Sequence, residues 1–204
     1  MTTTTLAPAL DDAALDLLFH EARSVHTFAE GAVDPAEITA AYETLRWAPT
    51  AMNISPLRLT VVPVGAPRER LARHMAEGNR AKTLAAPLTV VAATDPGFHT
   101  RLDTLAPTRT GLAERLETQP EQRAEMARTN GLLQVGYLLL ALRARGLAVG
   151  PMGGFDADAL DADLHAASGW RSLLVVNVGR AAAPDGTHPR AGRLSADDVV
   201  VTLG

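Results

Sequence analysis

"EQRAEMARTNGLLQVGYLLLALRARG", residues 121–146, is polar and helix-favouring in its first half and apolar nearly all round in its second. A helix of that kind has to be buried on most sides. A chain of 204 residues offers one such central position, unless the helix meets its own twin in a dimer. Gln134 and Gly136 interrupt the apolar run from Leu132 to Leu142, and Arg143 and Arg145 close it. The run is too short to cross a bilayer.

Downstream, "GPMGGF" (150–155) reads as a glycine-rich turn, and Asp156 as the cap of a helix reaching about Ala167. "RSLLVVNVG" (171–179) is a strand, and the tail "HPRAGRLSADDVVVTLG" is polar, then β-like over Val199–Val201. Upstream, Pro96, Gly97, Pro107 and Gly111 break up residues 95–120, which predict a mobile cover with one short helix near 112–118. "PLTVVAAT" (87–94) is a near-continuous apolar strand, covered on both faces. "LRLTVVPV" (57–64) is another strand, with Pro63 at its end or on an edge. "PRERLARHMAEG" (67–78) predicts a short helix closed by Gly78. Asp34, Pro35 and Glu37 predict a cap with a capping box before the stripe Ile38, Ala41, Tyr42, Leu45, and Pro49 follows it. Leu15, Leu18, Phe19 and Ala22 predict a first helix over about 11–23. This order is not a clean βαβ alternation, so the fold class is α+β: one domain over 11–204 behind a flexible tail, residues 1–10.

With 47% hydrophobic and 21% charged residues and a net charge of -4, the composition is that of a soluble globular protein. It carries no electrostatic footprint for nucleic acid or an anionic membrane. Zero cysteines exclude a disulfide framework, a thiolate nucleophile and a cysteine-held metal, and fit a cytoplasmic setting. The start, "MTTTTLAPAL", lacks the pattern of a signal peptide. The six histidines form no short-spaced pair, so no metal site is expected. Gly-x-Ser-x-Gly, Gly-x-Gly-x-x-Gly and Walker motifs are absent.

Four features remain, each with an ordinary alternative. "RWAPTAMNISPLR" (46–58) joins helix to strand with two prolines, Thr50 and Asn53, more rigid than a connection requires. Arg23, Arg190 and Arg193 have forks that suit a phosphate, or are solvated surface residues. Asn79 and Lys82 share one helical turn and could reach one polar ring edge, or mark an exposed helix start. The 150–155 glycines allow a bare backbone to approach a ligand, or make a tight turn.

Taken in order, "ARSVHTF", "LRWAPTAMNISPLRL", "GNRAKTLAAPLTVV", "GLLQVGYLLLALRARGLAVGPMGGFD" and "RAGRL" resemble the nitroreductase superfamily of FMN enzymes, from about residue 15 to 195. Within it, Ser55 before the second proline, "GN..KTL.AP" and "GPM.GFD" are similar to the malonic semialdehyde reductase branch, which forms 3-hydroxypropionate. The resemblance implies a mixed sheet flanked by helices and an intertwined homodimer with C-terminal exchange. One FMN would lie in each of two interface pockets. It further implies that Arg23, Ser24, His26, Arg190 and Arg193 hold the phosphate. Asn79 and Lys82 would hold the pyrimidine edge of the ring, with Pro151, Met152, Gly153 and Gly154 beside it. Pro49, Thr50, Ala51 and Asn53 would face the flavin bound mainly by the partner. Many relatives have arginine where this chain has Ala22, a basic residue at His26 and glutamate at Gly153. The implied activity passes hydride from NADH or NADPH through flavin N5 to a small oxidised acceptor, with Lys82, Gly153 and Gly154 as the catalytic groups. The acceptor would be malonic semialdehyde, the alternative being nitroaromatics and quinones. A reading of another class is a flavin carrier or an interaction module with a degenerate site.

Overall fold

The computed structural model describes residues 9–183 and 186–203. In chain order these form α1 (Asp12–Leu15), continued by a π-helical turn over Asp16–His20, then α2 (Ala36–Leu45), a 3-10 turn at Ala51–Asn53 and β1 (Leu57–Val62). Next come α3 (Ala66–Ala72), α4 (Glu77–Ala85), β2 (Leu88–Thr94), a 3-10 turn at Phe98–Arg101, α5 (Leu102–Leu105) and α6 (Leu112–Glu117). The chain continues with α7 (Pro120–Ala144), β3 (Ala148–Met152), α8 (Ala157–Leu164), β4 (Arg171–Gly179) and α9 (Ala196–Val199). Of the expected tail 1–10, residues 1–8 lie outside the described residues, and Ala9 and Leu10 are exposed.

The four strands make one antiparallel sheet in the order β1-β2-β4-β3. Every residue of β2 is buried, which is why its apolar run is unbroken rather than alternating. On one face α2 and α7 bring Ile38, Ala41, Leu45, Val135, Leu138 and Leu142 against Leu57, Val90 and Val176. On the other, Leu71, Met75 and Leu160 of the α3 and α8 regions meet Val62, Val91 and Val175. The result is a three-layer α+β sandwich. Pro63 follows β1 and Pro151 lies in β3, both at sheet edges where a missing N–H is tolerated. A single parallel bridge, Ser24 to Val149, adds to the outer side of β3. At Gly131 α7 approaches the sheet so closely that a Cβ would come within 2.8 Å of Leu173 and 3.0 Å of Thr94. Among the described residues no helix is long and apolar enough to cross a membrane.

Several elements depart from expectation for local reasons. Residues 11–23 bury no side chain completely, so tertiary packing does not enforce a regular helix, and α1 unwinds into the π turn. Glu37 closes no capping box, because it pairs with Arg145 at 2.7 Å, while Asp34 alone accepts the Ala36 N–H at 2.8 Å. Gly78 sits inside α4 rather than ending the helix before it. "GPM" belongs to β3, leaving the turn to Gly153 and Gly154. Residues Val199–Val201 pair with no described strand, since the Ser195–Asp198 capping box starts α9 there instead. The 95–120 segment is pinned by its own apolar cluster, in which Phe98, Leu102, Leu112 and Leu116 pack with Ile54 and Ala127.

Candidate active site

The rigid connection after α2 is fastened to α7 at three points. Asn130 Oδ1 accepts the Ala51 N–H at 2.7 Å, Gln134 Oε1 accepts the Leu57 N–H at 2.9 Å, and the Tyr137 hydroxyl donates to the Pro49 carbonyl at 3.3 Å. Their spacing of four and three residues puts all three on one face of the helix. Between these points Met52, Asn53 and Ser55 take φ values of 51°, 58° and 39°, where side chains are disfavoured. Such residues cost about 1–3 kcal/mol each and persist only where the surroundings over-determine them. Here the surroundings include the Asn53 amide, which donates to the Leu105 carbonyl at 2.7 Å, and Thr50 Oγ1, which accepts the Ser55 N–H at 3.2 Å.

At one end of β3, Ser24 is held by the bridge to Val149, with the Val25 N–H donating to the Val149 carbonyl at 3.0 Å. This seats Arg23 and Ser24 in a cavity of about 370 Å³ that also receives Arg190 and Arg193 from the C-terminal segment. Arg143 lines it too, and no carboxylate among the described residues does. The Arg23 guanidinium donates to the His188 carbonyl, and the His188 ring lies 4.2 Å from that of His26, centroid to centroid. Arg143 donates to the Leu18 carbonyl at 3.2 Å, and burial lowers its pKa from the usual value. Four guanidinium groups around a hollow with no acid among the described residues have the chemistry to hold an anion. Glu21 approaches only Arg190, from outside, at 3.9 Å.

At the other end of β3 the backbone meets α4. Asn79 donates to the Gly154 carbonyl at 3.1 Å, and a Cβ on Gly154 would fall 2.7 Å from that amide. A side chain on Gly154 would therefore push the Asn79 amide off its bond, whereas a Cβ on Gly153 would meet nothing nearer than Leu174 at 3.7 Å. Asn177 of β4 donates to the Lys82 carbonyl at 3.2 Å, and its Oδ1 accepts the Thr89 hydroxyl at 2.7 Å. Its amide also lies 3.9 Å from the Met152 sulfur. Beneath α4 runs Arg68, 1% exposed, donating to the carbonyls of Thr83 at 2.8 Å, Ala86 at 2.7 Å and Val62 at 2.6 Å. It has no acidic partner, and burial lowers its pKa to about 10, so it stays charged at neutral pH. Val149 and Gly153 are four residues apart, so the two ends stand about 13 Å from each other by strand rise.

A model of the nitroreductase family, described as "Nitroreductase family", matches residues 20–180. The chain belongs to the nitroreductase family. It is 45% identical over 195 residues to a Leptothrix cholodnii protein named "Putative NADH dehydrogenase/NAD(P)H nitroreductase", covering 96% of this chain and 98% of that one. A Streptomyces coelicolor protein of the same description is 46% identical, over 82% of this chain and 83% of its own. Among solved nitroreductase-type structures, one from Exiguobacterium sibiricum in complex with FMN superposes with a TM-score of 0.80 at 18% identity, covering 98% of this chain and 100% of that one. A nitroreductase family protein from Streptococcus pneumoniae gives 0.75 at 24% identity, covering 91% and 98%. These two show that the fold is shared.

The site residues named from the sequence thus fall into three groups. Arg23, Ser24, Arg190 and Arg193 share a cavity, with His26 behind them against His188. Asn79 bonds Gly154, Asn177 meets the Lys82 carbonyl and the Met152 sulfur, and Pro151 and Gly153 flank Met152 on the same stretch. Pro49, Thr50, Ala51 and Asn53 form the strained loop, and no hydrogen bond among the described residues joins it to either other group. Sequence reading passed over Arg143, which sits in the last turn of a long helix and looks like a dipole partner. It also passed over Arg68, Asn130, Gln134 and Asn177. An arginine, two amides and a strand asparagine at buried positions were the available signal, because such groups are buried only when partnered.

Proposed function

We propose that the chain is an FMN-dependent oxidoreductase that passes a hydride from NADH or NADPH to a small oxidised acceptor. One observation carries this reading: an arginine cavity with no acid among the described residues stands at one end of β3, and at the other Asn79, one helical turn before Lys82, donates to the Gly154 carbonyl. The donor set fits the group, since a phosphate suits Arg23, Ser24, Arg143, Arg190 and Arg193, and a polar ring edge suits Asn79 and Lys82. Bound FMN would supply the two-electron chemistry between the nucleotide and the acceptor. The chain would then supply position and charge. The Lys82 ammonium makes no described hydrogen bond or ion pair and is available to favour negative charge at the ring edge. The buried Arg68 charge lies one residue further along α4, at the Thr83 carbonyl, and adds to the same field. The Gly153–Gly154 backbone can lie flat against the ring, with Asn79 fixing its carbonyl.

The partner is a second copy of this chain. The outer edge of β1 pairs with no described strand, and a groove of about 840 Å³ lined by Ile38, Tyr42, Leu57, Leu59 and Val61 runs beside it. The C-terminal residues Leu194, Val199, Val200, Val201 and Leu203 are all more than 60% exposed, which supports exchange of this tail between subunits. Leu132 and Leu133 of α7 and Trp47 are likewise exposed, on or near the elements that carry the strained loop. In such a dimer the loop 49–53 serves the partner's flavin, consistent with its having no link to the groups of its own chain.

The acceptor assigned by resemblance is malonic semialdehyde, reduced to 3-hydroxypropionate. A second reading is reduction of nitroaromatics and quinones, and the nitroreductase in the relatives' names favours its nitro part. Anaerobic titration of the purified protein with NADH, followed by reoxidation with malonic semialdehyde, a nitroarene or a quinone, separates them. Fastest reoxidation by the aldehyde supports the first, and preference for the ring compounds replaces it with the second.

A further inference from the structure

Residues 95–120 carry three arginines, and the fold sorts them. Arg101 lines the groove beside β1 with Arg58 and Asp103. Arg109 and Arg115 instead share a separate concavity of about 370 Å³ with Met52, Thr108 and Thr110, floored by the buried Leu112. Gly111, at φ 73°, reverses the chain between them, and the Arg115 N–H donates to the Gly111 carbonyl at 3.2 Å. That left-handed turn keeps both arginines on the rim of one hollow. No acid lines it. Glu117, one turn away, is committed to His99 and to Arg123 at 3.5 Å, and Glu114 is adjacent in the helix to Arg115, a spacing that does not face it. Two guanidinium groups unpaired among the described residues, two hydroxyls and one thioether wall therefore meet around one hollow.

Its position matters as much as its charge. Met52 belongs to the strained loop, and Asn53 is tied to Leu105 of the same cover segment, so loop and concavity form one rigid unit. The geometry points to Arg109 and Arg115 as an anion subsite that holds a carboxylate or phosphate on the molecule reacting over the flavin. This rests on the flavin reading above, because that reading puts the loop 49–53 against the ring. An acceptor acid and a nucleotide phosphate share the chemistry that two guanidinium forks recognise.

The test uses R109Q, R115Q and the double variant of the full-length protein, all at exposed positions that leave the core intact. Three readouts are compared with wild type: the kcat/KM ratio of 4-nitrobenzoate to 4-nitrobenzyl alcohol, the KM ratio of NADPH to NADH, and calorimetric binding of benzoate to the purified chain. A partly screened pair of charge-assisted contacts predicts that the double variant changes the relevant ratio and the benzoate affinity by about tenfold. A fall in the first ratio identifies an acceptor carboxylate, and a rise in the second a nucleotide phosphate. If both ratios and the benzoate affinity stay at wild-type values in a yellow protein, the subsite is wrong and the flavin reading stands. If the protein is colourless and takes up no FMN, the flavin reading is wrong, and the benzoate titration alone still decides whether these arginines hold an anion.

Discussion

On the proposed reading, the two ends of β3 solve different problems, a ring edge at one and a phosphate at the other, with different materials. At the ring end, Asn79 and Lys82 ride on a helix locked from below by Arg68 and from the side by Asn177, each hydrogen-bonded to backbone carbonyls. At the phosphate end, Arg190 and Arg193 come from a segment without regular structure, both exposed, and Arg193 turns back onto the carbonyls of Ala191 and Gly192. Recognition of a ring edge demands fixed direction, which only packed, buried elements provide. A phosphate dianion is satisfied by any convergence of charge, so exposed forks suffice. Lesions in the buried locks of the ring end should therefore damage stability as well as chemistry, whereas lesions at the phosphate end should weaken binding alone.

The most severe test of that contrast is Arg68→Met. It leaves three carbonyls buried without donors, and the expected loss is about 3 kcal/mol or more of folding stability in urea denaturation, with weaker FMN uptake. Stability within about 0.5 kcal/mol of wild type would show that α4 needs no lock. Next, Lys82→Met should slow reduction by NADH about 100-fold while the urea midpoint stays put, as removal of a preorganised charge does; an unchanged rate takes Lys82 out of the chemistry. At the other end, Arg23→Gln should weaken FMN binding about tenfold and reduce its salt dependence, without moving the thermal midpoint appreciably. Arg193→Gln, at a more exposed fork, should weaken it only about threefold. If Arg193→Gln destabilises the fold instead, the phosphate end is structural after all.

The smallest effect concerns the cover. Glu117 has its pKa lowered from 4.5, first by the hydrogen bond from His99 and then by its charge. A carboxylate whose folded pKa is depressed stabilises above its ordinary value, and that contribution is lost as pH falls through the folded one. Between pH 6 and pH 3 the wild type should therefore lose slightly more thermal stability than Glu117→Gln; parallel curves would show that the His99 contact carries nothing.

How far the sequence reached follows the same division. β2, β4, α2 and α7 were legible because burial writes a period into them, and β2 even declared its two covered faces. The arginines, Asn79, Lys82 and Gly154 were legible only through their order along the chain, since each alone has an ordinary explanation. What stayed hidden depends on long-range partners. Glu37 left its capping box for Arg145, 108 residues away. Arg68 read as one charge in an exposed-looking helix, although three carbonyls make it a buried lock. The strain at Met52 and Ser55 has no local signature, because nothing in their identity asks for a positive φ, whereas Asn53 is of a type that visits that region.

The most direct measurement is a flavin-fluorescence titration of the purified chain against FMN, run beside Arg23→Gln and Lys82→Met. Saturation at one FMN per chain, weakened by Arg23→Gln, is the predicted result. A wild-type protein that leaves FMN fluorescence untouched at any concentration contradicts the account.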